Sequence, residues 1–483
     1  MVLKKVLIFV GLFIGIFILL CVISHFGFSI KENSLKSERE KKFSRNEFPA
    51  DELKVDLQYF RKLLEEVHPD PYYSLSKTDF DNEFKIIEQK IVSPISSLEF
   101  YKMLAPLVSR LNDEHVTISP SSFTMKKKET ANTLYFPFNI IFIDGKGYIK
   151  KNYSTENKII TGNEIAAING VSINSIADTL INYFSGTRPE QKMIYLQNNF
   201  TEFLNLIYDF SGPFKLEIKN SAGSSEIFNI SGITAAQKAE YSKNDFSYTI
   251  NDKSRTAVFT LKSFDDNKGI LFDFLKKMFS LLKEKGITKL IIDIRGNKGG
   301  DTSNGDLILD YLTDKPFTQI TGSEFKISGI LKEQLMNFIP GFIRWLPIQR
   351  FHPLLKTIWS GKDGQIVDFM FSEYHPSENN LRFNGKVFVF IDAGSMSSAS
   401  LFPATIQKYK IGTLVGEKSG GYPTHHGNMW DIELPNSGLI IGMPSCINHG
   451  NRTGPVMPDR EIKFDLQSVS NSSDPLIEYV NSL

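Results

Sequence analysis

Cysteine is almost absent from this chain of 483 residues, which contains only Cys21 and Cys446. Two cysteines exclude a disulfide framework and any zinc site built on several thiolates. A strong charge bias is also missing, since 55 Lys and Arg residues are balanced by 54 Asp and Glu residues. The chain therefore has no general electrostatic attraction for nucleic acid, and we expect no nucleic-acid partner.

Motifs for metals and nucleotides are lacking as well. The eight histidines include no HExxH spacing, and the adjacent His425 and His426 should point to opposite sides of a strand. The glycine-rich stretch GNKGGD (296–301) has neither the GxGxxG spacing nor a Walker lysine–serine ending. The sequence thus predicts no metal, no bound nucleotide and no other cofactor.

One long hydrophobic run is present, from Val6 to Ser24, and it contains no charged residue. A run of about 20 apolar residues can cross a bilayer, and Lys4 and Lys5 ahead of it favour a cytoplasmic N-terminus. No small-x-small cleavage site follows. We therefore expect residues 1–28 to be a signal anchor, a transmembrane helix in the cell membrane with the rest of the chain outside the cytoplasm. Secretion after signal cleavage is the alternative.

The next regions are predicted from their hydrophobic patterns. Residues 29–48 are charged and indicate a linker, and residues 49–125 contain three amphipathic helices that form an N-terminal helical layer. Residues 126–235 show short strands, one helix and Asp-Gly and Asn-Gly turns. This pattern looks like the core of a PDZ-type module, whose groove takes an extended peptide by strand addition. An ordinary α+β insertion is the other interpretation.

Residues 236–470 alternate strands and helices, which predicts an α/β core, and residues 471–483 form a C-terminal tail. Two apolar strands of this core are each followed by a polar loop, GNKGGD or AGSMSSAS (393–400). If the strands are parallel neighbours, both loops open at the carboxyl edge of the sheet. Within the core, residues 315–384 form an aromatic insertion, interpreted as a lid, a face for a membrane or partner, or an ordinary subdomain.

Four serines (Ser395, Ser397, Ser398, Ser400) crowd the point where the second strand becomes a helix. A hydroxyl there lies beside unpaired N–H groups and the positive end of the helix dipole, where an oxyanion is stabilised. The alternative is that these serines only cap the helix. The glycine loop can likewise aim N–H groups at an anion.

A base for such a serine could come from His115, which lies between a helix end and a strand in NDEHVTI. A purely structural histidine is the other interpretation. Asp113 and Glu114 should raise the pKa of His115 if they lie close to its ring, because an opposite charge favours the imidazolium.

Taken together, LIIDIRGNKGGD, GSMSSAS, MPDREI and LNDEHVTI resemble the motifs of the C-terminal processing peptidase and tricorn-core family of serine peptidases. The resemblance is to the histidine-containing branch, which includes the tricorn core and interphotoreceptor retinoid-binding protein, and it spans about residues 51–464. It implies a ClpP/crotonase-like βαβ core and a serine endopeptidase that cleaves peptides or unfolded proteins through an acyl-enzyme. Matching the motifs implies Ser397 as nucleophile, His115 as general base, and oxyanion N–H groups at Gly299, Gly300 and Ser398.

Two positions depart from the family pattern. Tyr422 stands where one branch has its lysine base, and Arg452 stands roughly where the tricorn-like branch has its orienting glutamate. A histidine base without a carboxylate partner loses control of its tautomer. Asp113 or Glu417 could replace the missing acid. The alternative to a peptidase is a catalytically silent module that binds peptides or hydrophobic ligands, and the oligomeric state stays open.

Overall fold

The structure is a computed structural model, and it describes Arg39, Ile339 and residues 42–129, 132–219, 223–241, 246–265, 268–337 and 352–483. The run Val6–Ser24, and with it the expected signal anchor, lies outside these residues. Among the helices that are described, none is both long enough and apolar enough to span a membrane.

Helices and strands alternate along most of the described chain. The helices are α1 (Ala50–Val67), α2 (Lys77–Lys90), α3 (Ser97–Arg110), α4 (Ser122–Lys128), α5 (Ile173–Leu180), α6 (Pro189–Tyr208), α7 (Ala235–Tyr241), α8 (Lys268–Glu284), α9 (Thr302–Asp310), α10 (Gly329–Asn337), α11 (Pro353–Ser360), α12 (Ser398–Lys408), α13 (Leu466–Ser470) and α14 (Pro475–Ser482).

The strands fall into three sheets. They are β1 (Thr117–Ser119), β2 (Phe138–Ile143), β3 (Lys146–Asn152), β4 (Glu164–Ile168), β5 (Val171–Ser172), β6 (Phe214–Lys219), β7 (Ser225–Ile230), β8 (Phe246–Asn251), β9 (Thr256–Leu261), β10 (Lys289–Asp293), β11 (Gly322–Lys326), β12 (Ile366–Met370), β13 (Lys386–Ile391), β14 (Thr413–Gly416), β15 (His425–Glu433), β16 (Ile440–His449) and β17 (Arg460–Glu461).

The central sheet has the strand order β17-β14-β13-β10-β9-β8. All of its neighbouring pairs are parallel except β8 with β9. Apolar residues on both faces of its strands are buried, and α8, α9 and α12 cover one face. Near-continuous apolar strands such as KVFVFI are typical of a parallel sheet buried on both sides. The α/β class expected for this part of the chain is confirmed.

A second sheet, β2-β3-β4-β6-β7 with β5 beside β4, forms a separate module with α5 and α6. The Asp144–Gly145 hairpin and the Asn169–Gly170 turn lie where the sequence predicts them. The expectation of a single helix in this region is wrong, because α6 adds a second one with 20 residues. The likeness of this module to a PDZ domain stays a prediction.

The third sheet joins distant parts of the chain. One edge of β16 pairs with β15, and its other edge pairs with β1 and β11, which continues to β12. The described part of the aromatic insertion thus contributes β11 and β12 to this sheet. Helices α1–α3 form a common hydrophobic core with the same sheet. This packing sets the segment after α3 against the start of β15.

The C-terminal tail is helical at its end and lies against the central sheet. Leu476 and Val480 of α14 are buried in a cluster with Phe388, Phe390 and Val415. Arg295, just after β10, donates to Asp474 Oδ2 over 2.7 Å, so the tail is also held by a part-buried ion pair.

Candidate active site

Strands β10 and β13 are parallel neighbours, with Asp293 opposite Phe390, and this confirms the sequence expectation. Their loops therefore leave the same edge of the sheet. The carboxylate of Asp392 joins them, since its Oδ1 accepts the N–H of Gly296 and the N–H of Gly394, each over 2.8 Å. The glycine loop and the serine turn are thus one hydrogen-bonded unit.

Ser397 occupies the turn between β13 and α12 in a conformation that serine rarely adopts. Its φ is 51° and its ψ is −125°, and its hydroxyl makes no capping hydrogen bond with the helix that follows. A non-glycine residue in such a region costs about 1–3 kcal/mol, and such strain clusters at functional sites. The interpretation of Ser397 as a simple helix cap therefore does not fit the structure.

Gly299 comes into direct contact with this serine. Its φ is +95°, and a Cβ built on it would lie 2.6 Å from Ser397 Cβ and 2.9 Å from Ser398 N. Only glycine fits this approach. The glycine loop therefore lies against the Cβ of Ser397 and the first N–H of α12.

The three expected oxyanion donors are not equivalent. The N–H of Gly299 already donates to Asn297 Oδ1 over 2.8 Å. The N–H groups of Gly300 and Ser398 make no hydrogen bond within the described chain. Ser398 Oγ in turn donates to Gly300 O over 2.6 Å, which ties these two residues together.

His115 is only 5% exposed and lies between α3 and β1. Its ring stacks on that of His425 with 5.0 Å between centroids and 12° between planes. Burial, together with the neighbouring His425, lowers the pKa of His115 to about 3. The charge of Asp113 does act to raise this pKa, but desolvation outweighs it, so the expected net increase is wrong. A neutral imidazole is the form that can accept a proton.

Asp113 holds the backbone of this segment rather than the His115 ring. Its Oδ1 accepts the His115 N–H over 2.7 Å, and its Oδ2 accepts from His68 Nε2 (2.9 Å) and His426 Nδ1 (2.5 Å). Burial alone would raise the pKa of Asp113, but the hydrogen bonds from His426 and His68 hold it well below its usual range. For His426, burial opposes the charged form, yet the bond to Asp113 raises its pKa.

The side chains of His68, Asp113 and His426 form a group that could hold a metal ion, since their ligand atoms lie within 4.8 Å of one another. The direction of the hydrogen bonds argues against this use. The N–H of Asp70 donates to His68 Nδ1 over 3.1 Å, so the proton of neutral His68 is assigned to Nε2, which donates to Asp113. A metal bound to His68 Nε2 would require the ring proton on Nδ1, where it would face the N–H of Asp70. The group is a hydrogen-bonded cluster.

Glu114 connects the histidine segment to the serine turn. Its Oε2 accepts a hydrogen bond from Gln191 Nε2, and burial raises its pKa to about 7. A Cβ on Gly421 would lie 2.8 Å from Glu114 Oε1 and 2.7 Å from the Cα of Met396, the residue before Ser397. The two segments that the sequence separates by almost three hundred residues therefore meet around Gly421.

The other expected residues lie elsewhere. Glu417 follows β14, where burial and the nearby Asp392 raise its pKa, and no hydrogen bond joins it to a described imidazole. Arg452 accepts the N–H of Thr424 through its backbone carbonyl. Tyr422 uses its carbonyl to accept from His425 Nδ1 over 2.9 Å. The contact with Tyr422 gives the ring of His425 a defined orientation.

A cavity of about 140 Å³ opens at this cluster. Its lining residues are Tyr73, Asp113, Glu114, His115, Thr187, Tyr422, Thr424, His425, His426 and Ile447. Sequence reasoning missed His68, His425 and His426 here. Adjacent positions on a strand do point apart, but His426 turns to Asp113 while His425 turns to His115, and both reach one cavity. The sequence signal that could have pointed to His68 is HPDPYY (68–73), which precedes LNDEHVTI (111–118) in the chain.

Residues 255–444 match the model of a protein family described as Peptidase family S41. The structure is similar to that of a point mutant of CPAF, with TM-score 0.64 and 14% identity over 90% of this chain and 97% of that one. It is also similar to mature CPAF complexed with lactacystin, with TM-score 0.62 and 14% identity over 90% and 97% of the two chains. A photosystem II D1 C-terminal processing protease aligns over 87% and 96%, with TM-score 0.44 and 11% identity. A search of curated proteins finds no match.

Proposed function

Because this chain contains a peptidase family S41 domain and is a serine-type peptidase, we propose that it is an endopeptidase with Ser397 as nucleophile and His115 as general base. Its substrates are peptides or unfolded proteins. The observation that carries the proposal is the strained Ser397 at the start of α12, which faces Gly299 across a contact that no side chain could enter.

In the proposed reaction, Ser397 Oγ attacks the carbonyl carbon of a peptide bond while the neutral ring of His115 takes the hydroxyl proton. The tetrahedral oxyanion accepts hydrogen bonds from the N–H groups of Ser398 and Gly300, which have no other acceptor among the described residues. Collapse transfers the proton to the leaving amine and leaves an acyl-enzyme on Ser397. Water, activated by His115, then releases the acid.

The involvement of His115 is supported by the packing of its segment against the serine turn. The lowered pKa of His115 keeps it neutral across the physiological range. Glu114 and Met396 both lie against the position of Gly421, so the segment that carries His115 meets the serine turn there. Gly299 is not proposed as an oxyanion donor, because its N–H is engaged by Asn297. Its role is to leave room for the serine.

The test is labelling of the full-length chain with a fluorophosphonate, which forms an adduct only with an activated serine. Wild type should label, and Ser397→Ala should not. Ser400→Ala is the matched control, since it changes a buried serine of the same helix that only donates to Ser397 O over 2.7 Å. Labelling of Ser397→Ala, or hydrolysis of an unfolded protein by that variant, would overturn the proposal. Failure of folded wild type to label in the presence of peptide would favour the silent binding module.

We also propose that the protein acts outside the cytoplasm, anchored in the cell membrane by Val6–Ser24. The support is the charge-free run itself and the lysines ahead of it. Intact cells treated with an external protease should lose the catalytic part of the chain. Protection of that part until the cells are lysed would exclude this location.

A further inference from the structure

The carboxylate that orients the proposed base is absent from its usual place in the chain, where Arg452 stands, and Asp113 is occupied with other partners. Within the described chain, two polar atoms at the cavity are nevertheless buried without a hydrogen-bond partner, namely His115 Nδ1 and Glu114 Oε1. They lie 3.9 Å apart. Since leaving a buried polar atom unpaired is unfavourable, each is the natural partner of the other.

We propose that Glu114 is the positioning residue for His115, with Glu114 Oε1 accepting the Nδ1–H of the imidazole when substrate closes the site. This inference rests on the proposed function of His115. Closing the gap from 3.9 Å to a hydrogen bond of roughly 2.8 Å needs a movement of about 1 Å, which side-chain torsions readily supply. With the proton fixed on Nδ1, Nε2 keeps the lone pair that accepts the serine proton.

The surroundings of Glu114 restrain its carboxylate for this role. Gln191 donates to Oε2 and thereby directs Oε1 away from itself. Gly421 leaves the space that Oε1 occupies, because a Cβ there would lie 2.8 Å from it. The stacked ring of His425 limits rotation of the His115 plane, and His425 is itself fixed by the carbonyls of Tyr422 and Pro423.

The substitution Glu114→Gln tests the proposal because Gln191 determines how the new amide turns. Gln191 Nε2 donates at the Oε2 position, so the amide oxygen should lie there and the new NH₂ should face His115 Nδ1. A donor at Nδ1 stabilises the opposite tautomer, in which Nε2 carries the proton and cannot act as base. A wrong tautomer of this kind costs as much as about 10⁴-fold in rate.

We therefore expect kcat for peptide hydrolysis to fall at least about 100-fold in Glu114→Gln, with KM changed less than about threefold. The ¹⁵N chemical shifts of the His115 ring should show the proton moving from Nδ1 to Nε2. Glu190→Gln, an exposed acid-to-amide change on α6, is the matched control and should leave both kcat and the tautomer as in wild type.

A second measurement separates positioning from structure. In a His115→Ala background, Glu114→Gln should cause no further loss of activity, because Glu114 acts only through the ring. An equal loss in both backgrounds, or wild-type kcat with an unchanged tautomer in Glu114→Gln, would overturn the inference. If His115→Ala itself keeps full activity, the proposed function of His115 fails instead, so the two failures are distinguishable.

Discussion

Gly299 and Ser397 approach each other so closely that a Cβ on the glycine would lie 2.6 Å from the Cβ of the serine. This contact exists because β10 and β13 are adjacent and parallel, so that the loops leaving them are pressed together at one edge of the sheet. The strained backbone at Ser397 and the positive φ of Gly299 therefore depend on each other, because each residue limits the space of the other.

Gly299→Ala should reduce kcat/KM by about 100-fold or more, because Ser397 must move to accept the new methyl group and misplacement by about 1 Å has effects of that size. The measurement is hydrolysis of a fluorogenic peptide. Gly145→Ala is the matched control, since Gly145 also has a positive φ (+73°) but nothing within 4 Å of the added atom. It should cost about 1–2 kcal/mol of stability and leave activity intact. Equal activities of the two variants would contradict the prediction.

Asp392→Ala should lower both activity and stability, because the N–H groups of Gly296 and Gly394 lose their common acceptor. Gly394 is buried and Gly296 is half-buried; a buried donor without a partner costs about 1–3 kcal/mol, so the larger loss is expected at Gly394. Asp392→Asn retains an oxygen that can accept both bonds and should behave much more like wild type. Thermal unfolding and peptide hydrolysis of the two variants, compared side by side, check this. If Asn were as damaging as Ala, the negative charge and not the acceptor would be what matters.

Asp113→Ala should reduce the free energy of unfolding by about 3–5 kcal/mol, the usual cost of removing one partner from a buried ionic network. Its loss leaves His68 and His426 buried without their acceptor. The pKa of His426 should fall, because the bond to Asp113 is what raises it. Denaturant unfolding and histidine NMR titration measure the two effects. Asp81→Asn, which breaks the more exposed pair with Arg61, should cost no more than about 1 kcal/mol.

Glu114 should make stability fall as pH rises. Its pKa in the folded state is about 7, above the usual 4.5, so between these values the folded chain holds a proton that the unfolded chain releases. Glu114→Gln lacks this carboxyl. Its free energy of unfolding relative to that of wild type should therefore increase by on the order of 3 kcal/mol between pH 4 and pH 8. Asp113, Arg188 and His426, which also act on this carboxyl, are present in both proteins. If the free energies of unfolding of the two proteins changed in parallel with pH, the pKa of this carboxyl would not be raised in the folded state.

Local sequence patterns determined the elements around Ser397. The apolar run KVFVFI, followed by a polar turn and then a helical pattern, predicts β13, the serine turn and α12, and the structure has all three. These predictions succeed because strand, turn and helix preferences depend on neighbouring residues. The helix α6 was not predicted, and there the local pattern was insufficient.

The arrangement of the histidines was decided by tertiary structure alone. His68, His115, His425 and His426 come from three distant segments, and they meet only because α1–α3 and β15–β16 share one hydrophobic core. Burial then determines the charge states, so that the pKa of His115 falls although two acids precede it in the chain. The sequence supplied the serine, the glycine loop and the histidine by their motifs. Which carboxylate serves that histidine depends on distances and desolvation, which no local pattern contains.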